Sequence, residues 1–142
     1  MKKKITVMTK MERIAAAIRG DAVDTVPYSL WSHLPLIDLD PVKNAEQTYG
    51  FGKTYDVDIL KTMNNGMYSV EDFGAVADYS EIAGGGAAKI ISTPVHRPKD
   101  WLDLEPVSVN AGALAREQEY LRLLLDKTRG TVPVIFTVFS PL

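Results

Sequence analysis

The chain has 142 residues, enough for one domain with a real core, and its 46% hydrophobic and 24% charged residues exclude a disordered polypeptide. A formal net charge of −2 gives no electrostatic basis for nucleic acid or an anionic membrane as partner, and the one basic cluster, Lys2-Lys3-Lys4, reads as a solvated tail. The chain has no cysteine, which excludes disulfides, thiolate metal sites and a cysteine nucleophile in this stretch; with no apolar segment behind the lysines and no run long enough to span a bilayer, the composition fits the cytoplasm.

Thr9-Lys10-Met11-Glu12 is a capping box, since a Thr hydroxyl can cap the N3 amide while the Glu reaches back. Met11, Ile14, Ala15 and Ile18 then share a helical face, and Gly20 supplies the left-handed stop, so a helix is predicted over 9–19. Val26 to Trp31 reads as a short strand with Pro27 at its start. Asp40-Pro41 places proline at N1 of a helix running to about Thr48, and Tyr55 to Met63 reads as a second strand ended by an Asn64-Asn65-Gly66 turn. Tyr79–Ile82 and Ala87–Ser92, joined through Gly84-Gly85-Gly86, suggest a hairpin. One helical turn is expected over Asp100–Leu104. Asn110 caps a helix to Arg129 with Leu114, Leu121, Leu124 and Leu125 inward and Gly130 as the stop. Val132 to Phe139, apolar throughout, reads as a parallel strand buried on both faces, followed at Ser140-Pro141-Leu142 by the start of a loop.

Strands alternating with helices imply an α/β fold with a parallel sheet and right-handed crossovers. A closed eight-stranded β/α barrel takes about 250 residues, so residues 1–142 fit roughly the first three β/α units of a partial TIM (β/α)8 barrel, as one truncated domain. A strand such as 132–139 needs neighbours and a covering helix, and the expectation is therefore a front portion of a larger protein.

Three stretches resemble the uroporphyrinogen decarboxylase family. They are Met11 to Gly20 with Asp24-Thr25-Val26-Pro27-Tyr28 and Trp31, then Tyr55 to Lys61, then Gly130-Thr131-Val132-Pro133-Val134-Ile135 running to Leu142. The resemblance implies a barrel with its site at the carboxyl ends of the strands, and one of two chemistries: cofactor-free decarboxylation of uroporphyrinogen, or zinc-dependent methyl transfer between a corrinoid and a thiol. The family's decarboxylases carry arginines after the first strand that grip substrate carboxylates. Here Trp31 to Asp38 contains none, and the family's aspartate beyond the second strand falls at Asn65 or Asn64. Both departures count against porphyrinogen chemistry. The zinc ligands of the methyltransferase branch belong to a later part of the barrel, so no metal or cofactor is expected in this chain; zinc and a corrinoid belong to a full-length relative. A further reading is a non-catalytic fragment that folds only with the other half-barrel or by self-association.

Several residues are candidates for a small-molecule site. His33, past the first strand, is a general acid or base or a carboxylate binder, with a structural histidine as the plain alternative. Lys61 either points into the site, where burial lowers its pKa, or extends outward. Asn64 and Asn65 orient a polar substrate or simply turn the chain. Glu71 and its neighbour Asp72 diverge, leaving one to face a pocket or both solvated. Trp31 is a substrate-facing, core or rim residue, Trp101 a core or rim one, and His96 a surface loop residue. The glycine triplet lacks the strand-to-helix context and the Lys-Ser/Thr of a phosphate loop.

Overall fold

The computed structural model describes residues 6–138; Lys2-Lys3-Lys4, Phe139 and the expected loop at Ser140-Pro141-Leu142 lie outside the described residues. Helix α1 (Lys10–Arg19) is built by the expected local signals: the Glu12 carboxylate accepts from Thr9 N at 2.8 Å, the Thr9 hydroxyl accepts from Glu12 N, and Gly20 closes the helix at φ 75°. Its inward residues are Ile14 and Ala16, while Met11 and Ile18 are exposed.

The expected strand at 26–31 is extended chain without a ladder. It runs beside the next strand through one backbone bond, Asp58 N to Tyr28 O at 2.9 Å, and through side chains: Asp58 Oδ2 accepts from Tyr28 N and Ser29 Oγ donates to Ile59 O. Pro27 has no N–H to contribute to a ladder. Helix α2 (Pro41–Thr54) begins where Asp40-Pro41 predicts, with Asp40 Oδ1 accepting from Val42 N and Lys43 N, and continues a turn and a half past Thr48. Tyr55 caps it, so the second strand is shortened to β1 (Leu60–Lys61). A short helix α3 (Tyr68–Glu71) follows.

The hairpin exists with its first strand earlier than expected: β2 (Val76–Asp78) pairs antiparallel with β3 (Lys89–Ser92), and residues 79–82 lie in the connection, which includes a 3-10 turn at Ile82–Gly84. A further 3-10 segment covers Pro98–Asp103. Helix α4 (Gly112–Thr128) starts after Ala111 rather than Asn110, and strand β4 (Val134–Ile135) closes the described chain.

Strand β4 pairs parallel with β1, Leu60 opposite Val134 and Lys61 opposite Ile135, with Leu60 N on Pro133 O and Thr62 N on Ile135 O, both 2.9 Å. The parallel pair joined through a helix is an α/β arrangement. Helices α2 and α4 pack on each other and on this pair. Their core is Ala45, Val57, Leu60, Tyr120 and Leu124, flanked by Tyr49, Leu123, Val132 and Val134. Full burial of a side chain such as Leu124 stabilises by about 1.5–3 kcal/mol. Gly52 lets α2 approach β1, since a Cβ there would sit 2.3 Å from Leu60 Cδ1. The final strand is not buried on both faces: Ile135 is 48% and Val138 77% exposed.

The inward stripe of α4 is Ala113, Glu117, Tyr120, Leu124 and Thr128; of the expected leucines Leu124 is fully buried, Leu114 and Leu121 are half-buried and Leu125 is exposed. Tyr120 OH accepts from Met63 N at 2.8 Å and pairs with Thr48 Oγ1 at 2.9 Å, while Asn44 Nδ2 donates to Met63 O. Buried polar groups thus bolt α2 and α4 to the chain leaving β1, each bond replacing one made to water.

Candidate functional site

The chain emerging from the carboxyl end of β1 does not simply turn. Asn64 and Asn65 are both buried. Asn64 Nδ2 donates to Glu117 Oε2 at 2.8 Å, and its Oδ1 accepts from the Thr62 hydroxyl. Asn65 Oδ1 accepts from Met67 N and from the Tyr79 hydroxyl. At the matching end of β4, Thr137 N donates to Thr62 Oγ1 at 2.9 Å and Tyr68 OH to Thr137 O at 3.0 Å.

Glu71 joins the same cluster instead of facing solvent. Its Oε1 accepts from Tyr79 OH at 2.9 Å and its Oε2 from Arg116 Nη1 at 3.1 Å. Arg116 Nε also reaches Glu117 Oε1 at 3.3 Å. Asp72 diverges from Glu71 as expected, but it too is engaged, accepting from Ala113 N and Leu114 N at the start of α4. That bond fixes the helix carrying Arg116 and Glu117.

Asp38, on the 3-10 turn Ile37–Leu39, completes the cluster and is only 7% exposed. Leu36 just before it adopts φ 66°, a left-handed conformation unfavourable for a residue with a Cβ. Burial pushes the Asp38 carboxyl above the usual carboxylate range, against the Asn65 side chain and the charges of Arg116 and His33. Burial likewise raises Glu117, opposed by its bonds to Asn64 and Arg116. Burial works against the Arg116 charge, but Glu71 and Glu117 outweigh it and hold the guanidinium protonated. Tyr79 is pushed up to about 12 by burial and by Glu71, so its hydroxyl stays a donor. Glu71 and Glu117 thus share one guanidinium, whose charge also acts on Asp38. Three buried polar atoms of this end have no hydrogen-bond partner among the described residues: Asp38 Oδ1, Arg116 Nη2 and Thr137 Oγ1. Each unmade bond costs about 1–3 kcal/mol.

A second group sits beside it. Trp31 Nε1 donates to Thr62 O at 3.2 Å, His33 stands edge-on to the Trp31 ring at 4.3 Å, and Lys61 Nζ lies 4.4 Å from the ring centroid. Lys61 makes no ion pair among the described residues; its partner is the indole face. His33 and Trp31 are exposed. The structure therefore brings the six sequence-derived candidates together as two groups around Thr62: Trp31, His33 and Lys61, and Asn64, Asn65 and Glu71. His96 and Trp101 are exposed and apart from both hydrogen-bonded groups. Asp38, Tyr79, Arg116, Glu117 and Thr137 were not among the candidates. One signal pointed to Glu117: it falls on the inward stripe of α4, where an acid needs a partner.

No family model matches the chain, and no curated protein matches it. Among solved structures, the fold is similar to that of a methyltransferase from Methanosarcina mazei, with a TM-score of 0.67 and 17% identity, over 91% of this chain and 42% of that one. The chain thus spans less than half the length of that neighbour, and at this identity the likeness is one of fold.

Proposed function

We propose that this chain is the amino-terminal part of a methyltransferase-related barrel enzyme of the uroporphyrinogen decarboxylase-like superfamily. The observation that carries the reading is the buried cluster at the carboxyl ends of β1 and β4, where α/β proteins place their ligands, with polar atoms left unpaired. In this reading Asn64, Asn65 and Glu71 shape a substrate-binding wall, Trp31 forms its rim, and His33 and Lys61 supply proton transfer and positive charge. Uroporphyrinogen is a poor fit. It is a polycarboxylate, and the cluster presents Asp38, Glu71 and Glu117 against a single Arg116 that is already paired. The absence of arginine from Trp31 to Asp38 points the same way.

Zinc, which the family resemblance implies, finds no ligand set among the described residues, where no group of three His, Cys, Asp or Glu side chains is arranged to hold a metal ion. As the resemblance implies, we assign zinc and the corrinoid to the part of such an enzyme that this chain does not span. The test incubates the product of the whole gene with a methylated corrinoid, a thiol and zinc, following loss of the cobalt–methyl absorbance and methylation of the thiol, beside a parallel reaction with uroporphyrinogen. Thiol methylation without coproporphyrinogen is expected; robust coproporphyrinogen formation overturns the reading.

A second reading concerns the chain by itself. The exposed Ile135 and Val138 at the end of β4 favour a non-catalytic piece that is completed by the rest of a barrel or by another copy of itself.

A further inference from the structure

The opposite end of the parallel pair holds a cavity of its own. It measures about 170 Å3 and lies where the start of α1, the last turn of α2 and the approaches to β1 and β4 meet. Val57, Leu60 and Val132 give it an apolar floor, and the Tyr49 side chain is a wall. An apolar cavity of about 150 Å3 takes a benzene-sized molecule. Two lysines line the same space. Lys10 Nζ donates to Asp56 Oδ1 and to Val57 O, both at 2.7 Å, which leaves it one N–H. Lys53 Nζ lies 5.6 Å from the centroid of the Tyr49 ring and has no other partner among the described residues. Asp56 is the single carboxylate of the lining, and Lys10 holds it. One positive charge is therefore left over beside an apolar floor. An ammonium ligand would meet two lysines. A phosphate monoester brings about two negative charges at neutral pH and would set its surplus against Asp56. An anion of single charge with a compact apolar body matches both the charge and the floor.

We propose that this cavity is a binding site for a small monocarboxylate with a compact apolar body, its carboxylate at the lysine rim and its body on Val57, Leu60 and Val132. The walls come from α1, α2, the end of α4 and the two strand approaches, all within this chain. The cavity lies at the amino ends of β1 and β4, whereas the candidate functional site lies at their carboxyl ends, so its ligand is distinct from the substrate of that site. By joining α1, α2 and the starts of both strands, a bound carboxylate stabilises the fold. The assignment is independent of the methyltransferase reading.

Saturation-transfer NMR and thermal melts on the full chain at neutral pH and fixed ionic strength, with benzoate, benzyl alcohol and benzylammonium in turn, test it. Benzoate is expected to bind about threefold or more tighter than benzyl alcohol, with benzylammonium weakest, and to raise the melting temperature saturably. Lys53→Gln, at an exposed residue, should weaken benzoate about threefold and leave benzyl alcohol unchanged. Val132→Phe, which fills the floor, should abolish binding of both. Lys43→Gln, on the same helix but paired with Asp40 at 3.1 Å, should alter neither. The ranking of the ligands and the Lys53→Gln result hold even if Val132→Phe does not fold. Equal binding of all three, absence of benzoate binding, or benzoate binding unmoved by Lys53→Gln overturns the proposal, as does undiminished binding in a folded Val132→Phe.

Discussion

Asp24 and Asp38 both feel the charge of an arginine, and they titrate in opposite directions. Asp24 receives Arg13 Nε at 2.6 Å and Nη2 at 2.9 Å, with Met8 N at 2.8 Å, and these bonds hold its carboxyl well below the usual carboxylate range. The same guanidinium binds Asp58, which in turn accepts from Tyr28 N, so the Arg13, Asp24 and Asp58 set pins α1 and the 24–28 segment to the approach of β1. This is a physical reason for Arg13 and for the Asp24 that opens Asp24-Thr25-Val26-Pro27 in the first of the three stretches. Asp38 has no such partner on Oδ1, and burial raises it. The signs follow from linkage. Asp24 stabilises the fold above its unfolded pKa, and that contribution is lost as pH falls toward its depressed folded value. Asp38, raised on folding, stabilises below its unfolded pKa, and that contribution is lost as pH rises through its folded value. Asp38→Asn should therefore melt at a higher temperature than the wild type at about pH 7, with the gap closing toward about pH 4. Circular-dichroism melts across this range check it. A variant less stable than the wild type at neutral pH would mean that the bonds to the Asp38 carboxylate, that of Asn65 among them, outweigh its burial.

Helix α4 shows which elements could be read from the chain and which could not. Thr9 with Glu12, Gly20, and Asp40 with Pro41 act within four residues of each other, and helix ends set by such local bonds are legible in sequence. The start of α4 is set by Asp72, 41 residues upstream of Ala113, and no local pattern carries that bond. Leucine spacing puts Glu117 and Thr128 on the inward side and Tyr120 beside it, but it carries no sign of the partners on other elements or on the preceding turn that satisfy their polar atoms. The strands were over-read for a related reason. Apolar runs at 55–63 and 132–139 resemble buried strands, but β length is decided by the partner, and here each strand pairs over two residues. Gly112 sits beside Asp72 at φ 62°, and a Cβ there would lie 2.0 Å from Asp72 Oδ1. Asp72→Ala should cost about 0.5–2 kcal/mol through the lost cap. Gly112→Ala should cost about 1–3 kcal/mol from its left-handed backbone, with more for the clash. The double variant should cost less than the sum, because removing the carboxylate removes the clash. Urea unfolding of the three variants tests this; strict additivity would show that the two residues do not meet.

At the scale of the molecule, the parallel pair of β1 and β4 is the feature that asks for more. Parallel sheets are ordinarily covered on both faces, and two strands alone are marginal. Helices α2 and α4 cover this pair, yet among the described residues β4 has β1 as its single strand neighbour, and Ile135 and Val138 remain open to solvent. An unpaired edge of this kind is a template for another chain. The chain is expected to self-associate, with a mass by light scattering that rises from monomer to dimer or beyond with concentration. Ile135→Lys places a charge on the edge and should return it to monomer with its far-ultraviolet spectrum unchanged, as natural edge lysines do. A wild-type chain that stays monomeric and melts in one sharp transition would remove the argument for a completing partner. Association that persists undiminished in Ile135→Lys would move the contact elsewhere. The exposed Ile90 and Ile91 of β3 and the exposed Leu102 of the Pro98–Asp103 segment offer the next apolar surfaces, and Ile91→Lys would then be the variant that separates the copies.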